Sequence, residues 1–315
     1  MLLALTIACR PAGEPIEVER PADTGVAPVA TDDVGPDEPP AGEDTGEPVG
    51  PGEDEPEDPV GASNELGVWL WYIEGTGYSH AELASKLAAM GVKRVYVKVA
   101  DGAASCSSWP ELCDTSVPAT YQAAGLEAWA WSYNYPGGVQ AQADALTQAV
   151  ATGYEGYVLD IETEFDGATT TLEALLEAFW QARNEAAPEG WELRATTWGN
   201  PTDHGMRVDI IDAYVDAHMP QTYLEVWGAT YMQDAKYWVD YGTCEYRGLG
   251  AVKPVHHIIS TEYDDITPSE LHEAIGASGA GTSLWRIPGE GTLLSIWTDW
   301  EALDWDRVSF DTPPC

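Results

Sequence analysis

After Asn64 the sequence alternates eight times between short runs rich in Val, Ile, Trp and Tyr and longer stretches rich in Ala, Leu and Glu. The short runs are typical of buried strands and the longer ones of helices. Such alternation predicts a parallel sheet, and eight units in about 250 residues match a closed (β/α)8 TIM barrel. The predicted strands are Gly67–Glu74, Arg94–Ala100, Glu127–Tyr135, Gly156–Glu164, Glu192–Trp198, Ala217–Glu225, Val255–Thr261 and Thr282–Arg286.

Helical patterns separate most of these strands. The main alternative fold is a doubly wound open sheet, but its Gly-x-Gly-x-x-Gly turn does not follow the first strand. A helix after the second strand is doubtful, because a cysteine-bounded loop occupies that stretch. The predicted helices are Ser79–Met90, Val139–Thr152, Thr171–Ala186, Met206–Val215, Thr230–Tyr241 and Pro268–Ile275.

Charge limits the partners of this chain. The sequence has 53 acidic and 14 basic residues, a formal net charge of −39. Nucleic acid and anionic membrane surfaces are therefore excluded as partners, since both require a basic face. Fourteen Trp and 15 Tyr against 3 Phe favour sites that stack on sugars. We expect a glycan ligand and a monomeric protein.

The first 63 residues differ in composition from the rest. Residues 1–9 resemble the end of a bacterial lipoprotein signal, with Cys9 as the lipidation site. The apolar run is short and lacks a preceding Lys or Arg, for which a start upstream of Met1 is one explanation; the alternative is a chance apolar N-terminus. Residues 10–63 are rich in Pro, Gly, Glu and Asp and lack large apolar residues, which predicts a disordered tether. The barrel domain then covers residues 64–315. This organisation implies an exported protein that is attached to the cell envelope only through its lipid.

Four further cysteines suggest two disulfides in an exported protein. Cys106 and Cys113 flank a short loop and would pair locally, and Cys315 would then pair with Cys244; the other two pairings stay open. No cysteine or histidine cluster has zinc spacing. We therefore expect neither a metal nor a cofactor.

Three carboxylates follow an apolar run at alternate positions. Tyr157, Val158 and Leu159 lead into Asp160, Glu162 and Glu164. Because the predicted strand runs to Glu164, its period-2 geometry puts all three carboxylates on one face at the active-site end of the barrel. Crowded like charges raise the pKa of at least one carboxyl, as a general acid requires. The alternative is an acidic strand end or a cation site.

The Asp160-Ile-Glu162 step resembles the Asp-x-Glu of two barrel glycosidase groups, the family 25 lysozymes and the family 18 chitinases. The resemblance implies that Glu162 protonates the glycosidic oxygen and that Asp160 positions the substrate or stabilises charge. Met219-Pro-Gln-Thr-Tyr223 is similar to a stretch of chitinase-like barrels in which Gln221 and Tyr223 would face the sugar.

The resemblance leaves the second carboxylate of a two-carboxylate mechanism unassigned. Its candidates are Glu164, Glu225, Glu74 and Glu262. The family 18 pattern has two further Asp on the fourth strand, where this chain has Glu155 and Val158. The family 25 pattern has an Asp in the first strand and another near the last, where this chain offers only Glu74 and, in a following loop, Glu290. The alternative function is therefore a carbohydrate-binding or structural surface barrel without catalysis.

Other residues at predicted strand ends complete the candidate site. Lys98, late in the second strand, could pair with Asp160 or Glu162, or instead point outward along the helices. Asp101, in the loop that follows, is expected to bind substrate hydroxyls. Aromatic side chains near carboxylates are typical of a carbohydrate cleft. The aromatic candidates at the mouth are Tyr133, Trp198, Tyr223 and Trp285.

Overall fold

The computed structural model describes residues 65–305, 310–311 and 314–315. Eight parallel strands form a closed barrel in chain order, and β8 pairs with β1 through Gly67 and Ser283. The TIM barrel prediction is confirmed and the open sheet is excluded. The strands are β1 Gly67–Leu70, β2 Arg94–Asp101, β3 Glu127–Tyr133, β4 Gly156–Asp160, β5 Glu192–Trp198, β6 Ala217–Thr222, β7 Ile258–Ser260 and β8 Ser283–Trp285.

The predicted signal, its Cys9 and the tether lie outside the described residues. They remain predictions. Within the residues that the structure describes, no helix is long and apolar enough to cross a membrane.

The helices depart from the predicted ones in three places. A helix follows β2 after all, and the predicted helix at 206–215 shortens to five residues. The helix predicted at 230–241 is split in two, because Asp234, with φ −114° and ψ 41°, interrupts it. The helices are α1 His80–Met90, α2 Ser116–Ala123, α3 Val139–Thr152, α4 Thr170–Ala186, α5 Val208–Asp212, α6 Leu224–Trp227, α7 Ala229–Gln233, α8 Ala235–Gly248, α9 Pro268–Ser278 and α10 Ile296–Ala302.

Aromatic side chains fill the interior of the barrel. Trp69, Tyr96, Trp129 and Trp131 lie in one buried cluster, and Trp69 stacks on Tyr96 with 4.6 Å between ring centroids. Trp129 and Trp131, which are alternate residues of β3, thus point inward. A Cβ at Gly156 would lie 2.5 Å from the Trp129 ring, so only glycine leaves room for this indole. The core is therefore packed, and any site must lie at one of its ends.

Two arginines close the amino-terminal end of the barrel. The guanidinium groups of Arg94 and Arg194 lie 4.2 Å and 4.5 Å from the centroid of Trp129. Arg94 also donates to Glu127 at 2.7 Å and Arg194 to Glu192 at 2.8 Å. These contacts partner both buried cations, although Arg194 Nη1 has no hydrogen-bond partner among the described residues. The end of the barrel that remains for binding is the carboxyl-terminal one, where parallel barrels carry their sites.

Both favoured disulfides are present in the structure. Cys106 pairs with Cys113, with 5.5 Å between their Cα atoms, and closes the loop between β2 and α2. Cys244 on α8 pairs with Cys315, with 5.6 Å between Cα atoms. Both separations lie in the usual range for a disulfide.

Helix α1 begins with a capping box that gives a direct test of local stability. The Ser79 hydroxyl accepts from the backbone N–H of Glu82, and the Glu82 carboxylate accepts from the backbone N–H of Ser79. Ser79→Ala is expected to lower the free energy of unfolding by about 1 kcal/mol. Chemical denaturation measures this change. Ser85→Ala, in the middle of the same helix and equally exposed, is the control, and an equal loss in both variants would contradict the capping role.

Candidate active site

A single glutamine amide joins two carboxyl groups at the carboxyl end of the barrel. Asp160 is the last residue of β4, and Gln221 lies on β6. The Gln221 Nε2 atom donates to Asp160 Oδ1 at 2.9 Å and to Glu162 Oε1 at 2.9 Å. Each NH₂ proton of the amide is donated to a different carboxyl group, so the amide holds the two carboxyl groups next to each other at the barrel mouth.

The strand does not continue to Glu164, so the prediction of three carboxylates on one strand face is wrong. β4 ends at Asp160, and residues Thr163–Phe165 form a 3-10 turn in which the Phe165 N–H donates to the Glu162 carbonyl at 2.9 Å. Ile161 and Phe165 are both fully buried. The turn places these two apolar side chains in the core. Glu164 lies within the turn, so it is not a continuation of the strand that carries Asp160.

Burial sets the protonation of the pair. Removal from water raises the pKa of Asp160 well above its usual range, and the neighbouring Glu162 charge raises it further. Burial also raises the pKa of Glu162, while the Gln221 hydrogen bond opposes this shift. Two buried carboxyls in contact cannot both ionise at low cost, so the pair retains a proton to higher pH than ordinary carboxyls.

Lys98 is the nearest described cation that acts on this pair. Its side chain is buried, and its ammonium group donates to Asp101 Oδ2 at 2.9 Å. The outward orientation considered from the sequence is wrong, and the direct ion pair is with Asp101. The charge of Lys98 nevertheless lowers the pKa of both Asp160 and Glu162.

Two tyrosines of the β3 end anchor further acidic side chains. The Tyr133 hydroxyl donates to Glu164 Oε2 at 2.7 Å, and Tyr135 donates to Asp101 Oδ1 at 2.9 Å. The hydrogen bond with Asp101 and burial raise the pKa of Tyr135 to about 12. Two hydrogen-bonded pairs, Tyr133–Glu164 and Tyr135–Asp101, thus lie next to each other, with 5.2 Å between the centroids of the two tyrosine rings.

On the opposite side, aromatic rings and a buried ion pair line the mouth. Tyr223 stacks on Trp285 with 6.3 Å between centroids, and Trp285 Nε1 donates to Glu262 Oε2 at 3.2 Å. Arg286 Nε donates to Glu262 Oε1 at 2.9 Å. Burial, then the charges of Asp160 and Glu162, raise the pKa of Tyr223 far above its usual range. Its hydroxyl is therefore a neutral hydrogen-bond donor beside the carboxyl pair.

Sequence reasoning missed Arg286 and Trp71. The Arg286 guanidinium lies 4.4 Å from the centroid of Trp71, which is itself 6.1 Å from Trp285. An arginine directly after a strand-end tryptophan is a weak signal that could have indicated a residue at the mouth. Trp71 follows the observed end of β1 at Leu70, which the sequence placed four residues too late.

Two predicted binding residues have their polar atoms engaged within the protein. Glu225 is 6% exposed, and its carboxylate accepts from the Ser260 hydroxyl at 2.8 Å and from backbone N–H groups of the loop between β7 and α9. Trp198 Nε1 donates to Asp166 at 2.8 Å, and its ring stacks on His204 at 4.0 Å. Neither side chain is joined to the Asp160–Glu162 pair by a described hydrogen bond.

Metal binding finds no support in the described part of the chain. Across residues 65–305 and the short described segments after them, no group of three or more His, Cys, Asp and Glu side chains could hold a metal ion. His256 and His257 do not converge on a shared position: His257 bonds to Thr222 at 2.6 Å and to Thr243 at 2.8 Å.

Comparison with known proteins shows the fold but no family. No protein-family model matches the sequence, and no curated protein is detectably similar to it. An endo-beta-N-acetylglucosaminidase from Cordyceps militaris shares 14% identity and a TM-score of 0.51, over 76% of this chain and 90% of that one. A family 39 glycoside hydrolase from Bacteroides cellulosilyticus shares 12% identity and a TM-score of 0.50, over 70% of this chain and 56% of that one.

A third similar structure belongs to another class of enzyme. A protein from Coccidioides immitis, provisionally assigned as a deoxyribose-phosphate aldolase, shares 10% identity and a TM-score of 0.50, over 71% of this chain and 81% of that one. Glycoside hydrolases are thus among the structural neighbours, but the barrel is common to different chemistries. Function must be argued from the site.

The buried carboxyl of Asp160 predicts a specific pH dependence of stability. Its raised pKa means that folding favours the protonated form, so its contribution to stability is complete at low pH and is lost as the pH rises through the folded-state pKa. Asp160→Asn does not titrate and keeps an acceptor for Gln221. As the pH is raised from acidic to alkaline, the free energy of unfolding of the wild-type protein should fall by on the order of 1 kcal/mol more than that of the variant.

Urea denaturation across this pH range measures the gain. Asp144→Asn removes the same charge from an exposed position on α3 and should run parallel to wild type. If Asp160→Asn also ran parallel, the raised pKa of Asp160 would be contradicted.

Proposed function

We propose that this protein is a glycoside hydrolase that cleaves a polysaccharide of N-acetylated hexosamines, of the chitin or peptidoglycan kind. The observation that carries the proposal is the amide of Gln221, which holds Asp160 and Glu162 together at the barrel mouth. This arrangement supports the roles implied by the Asp-x-Glu resemblance. It also places a proton-retaining carboxyl pair beside rings on which a sugar can stack.

In the proposed reaction Glu162 is the general acid. Its protonated carboxyl donates to the glycosidic oxygen while the bond between this oxygen and the anomeric carbon breaks. Water then adds to the anomeric carbon, and the proton that it releases restores the protonated pair. Asp160 shares the proton with Glu162 and keeps its carboxyl oriented, and the neutral Tyr223 hydroxyl is placed to donate to the sugar.

Burial of Glu162 at the mouth favours its protonated form, which a general acid needs near neutral pH. An exposed glutamate would be ionised there and could not donate. Burial raises the pKa of Glu162, and the neighbouring Asp160 keeps the shared proton within the pair. The charge of Lys98 opposes this rise in the pKa of Glu162, so it keeps the carboxyl a stronger acid than burial alone would leave it.

The test is hydrolysis of a panel of soluble β-linked glycans, with chain lengths of the products read by mass spectrometry. We expect products from N-acetylglucosamine polymers with the wild-type protein and a large loss with Glu162→Gln. Equal rates from both proteins would reject the proposed role of Glu162. Binding of these polymers by the wild-type protein without any products would favour the alternative, a carbohydrate-binding barrel that does not hydrolyse its ligand.

A further inference from the structure

We propose that a continuous row of aromatic side chains leads from the carboxyl pair to an outer cleft, and that this row binds an extended, uncharged glycan chain. We call the row the aromatic track; its members are Tyr223, Trp285, Trp71, Tyr72 and Trp109. The inference names the substrate class for the proposed glycosidase and rests on that function, but its test below uses binding alone.

Four consecutive ring pairs define the track. The ring centroids are 6.3 Å apart from Tyr223 to Trp285 and 6.1 Å from Trp285 to Trp71. They are 5.5 Å apart from Trp71 to Tyr72 and 5.7 Å from Tyr72 to Trp109. The last two pairs are nearly parallel, with interplanar angles of 28° and 16°. Flat apolar surface therefore continues outward from the carboxyl pair.

The outer end of the track opens into a cleft of about 550 Å³. Its walls are the turn after β1 and the loop that the Cys106–Cys113 disulfide closes. Tyr72 is 48% exposed there, so its ring is accessible to a ligand. The residues that line the cleft are Tyr72, Glu74, Ser108, Trp109, Pro110 and Glu111.

The track is held in place from below by Lys98. Its ammonium group lies 5.5 Å, 5.6 Å and 5.3 Å from the ring centroids of Trp71, Tyr72 and Trp109. Cation–π contacts of this kind fix the rings before any ligand arrives, which reduces the entropy cost of binding. The charge of the same lysine lowers the pKa of Asp160 and of Glu162. Lys98 is therefore close both to the outer rings of the track and to the carboxyl pair.

The polar groups of the cleft select against anionic sugars. Its charged lining residues are Glu74 and Glu111, both acidic. Carboxylates accept hydrogen bonds from sugar hydroxyls but repel uronic or lactyl carboxylates. An uncharged N-acetylhexosamine chain therefore fits the cleft better than an acidic glycan.

The decisive experiment compares ligand lengths by calorimetry. The full chain carrying Glu162→Gln, which prevents turnover, is titrated with the dimer and the hexamer of N-acetylglucosamine. We expect Tyr72→Ala in this background to weaken hexamer binding about tenfold and to leave dimer binding unchanged. Tyr241→Ala, which removes a tyrosine with 45% exposure on α8, is the matched control and should change neither.

The possible results distinguish the aromatic track from the proposed glycosidase activity. Equal effects of Tyr72→Ala on dimer and hexamer, no effect on either, or no hexamer binding at all would overturn the track. Binding of a galacturonate hexamer as tight as that of the N-acetylglucosamine hexamer would overturn the preference for uncharged chains. Length-dependent binding without turnover by the wild-type protein would reject the glycosidase and keep the track.

Discussion

Replacing Glu162 by Gln is expected to reduce the turnover of an N-acetylglucosamine polymer by roughly 10²–10⁴-fold, the usual contribution of general acid catalysis. Glutamine keeps the size of the side chain and an acceptor for the Gln221 amide, which donates to Glu162 at 2.9 Å. It has no acidic proton to give to a leaving oxygen. The loss should therefore appear in kcat, with little change in substrate affinity.

Glu177→Gln provides the control for this measurement. Glu177 is exposed on α4, and its replacement removes the same charge without touching the barrel mouth. We expect wild-type rates from it. If Glu162→Gln retained more than about a tenth of wild-type kcat, a general acid role for Glu162 would be untenable.

The pH profile gives an independent reading of the same pair. Catalysis by a general acid requires its protonated form, so the rate should fall as the pH rises through the raised pKa of the pair. Asp160→Asn removes one carboxyl of the pair. Glu162 then no longer shares a proton with a second carboxyl, and its negative charge is no longer opposed by that of Asp160. The alkaline limb of its profile should therefore move to lower pH.

The second large effect is expected on stability, from Glu225→Ala. The Glu225 carboxylate accepts from the backbone N–H groups of Tyr263, Asp265 and Ile266 and from the Ser260 hydroxyl. Truncation removes the acceptor of all four donors in a buried position. We expect the free energy of unfolding to fall by about 3–5 kcal/mol, measured by urea denaturation.

Two further variants separate this role from direct substrate binding. Glu225→Gln keeps one acceptor oxygen and should lose about half as much stability as Glu225→Ala. Glu177→Ala, on an exposed helix face, should stay within about 0.5 kcal/mol of wild type. A stable Glu225→Ala protein with weakened glycan affinity would favour the substrate-binding role that the sequence suggested.

Local sequence patterns determined the architecture of this protein. Alternating apolar strands and amphipathic helices require a parallel sheet covered by helices, and eight repeats close it into a barrel. The short separation of Cys106 from Cys113 and the capping serine of α1 are equally local signals. They could be predicted because each depends on a few neighbouring residues.

Strand ends were less predictable than strand positions. Asp160 could be placed at the mouth because an apolar run leads into it. The residue at which β4 ends depends instead on the packing of Ile161 and Phe165 in the core. The same applies to Glu225, which the sequence placed in β6 and which lies in α6. A carboxylate at a strand end faces either a ligand or its own loop, and only packing with distant segments decides between them.

The sequence alone determined the barrel and the presence of Asp160 and Glu162 at its carboxyl end. Tertiary structure decided which groups surround them, because each partner comes from a different part of the barrel than the pair does. Gln221 bridges the pair from β6, Lys98 acts on its pKa from β2, and the Tyr223 hydroxyl comes from the residue after β6. Side-chain hydrogen bonds and burial between residues far apart in the chain set the protonation of the site, and local sequence patterns do not encode those distances.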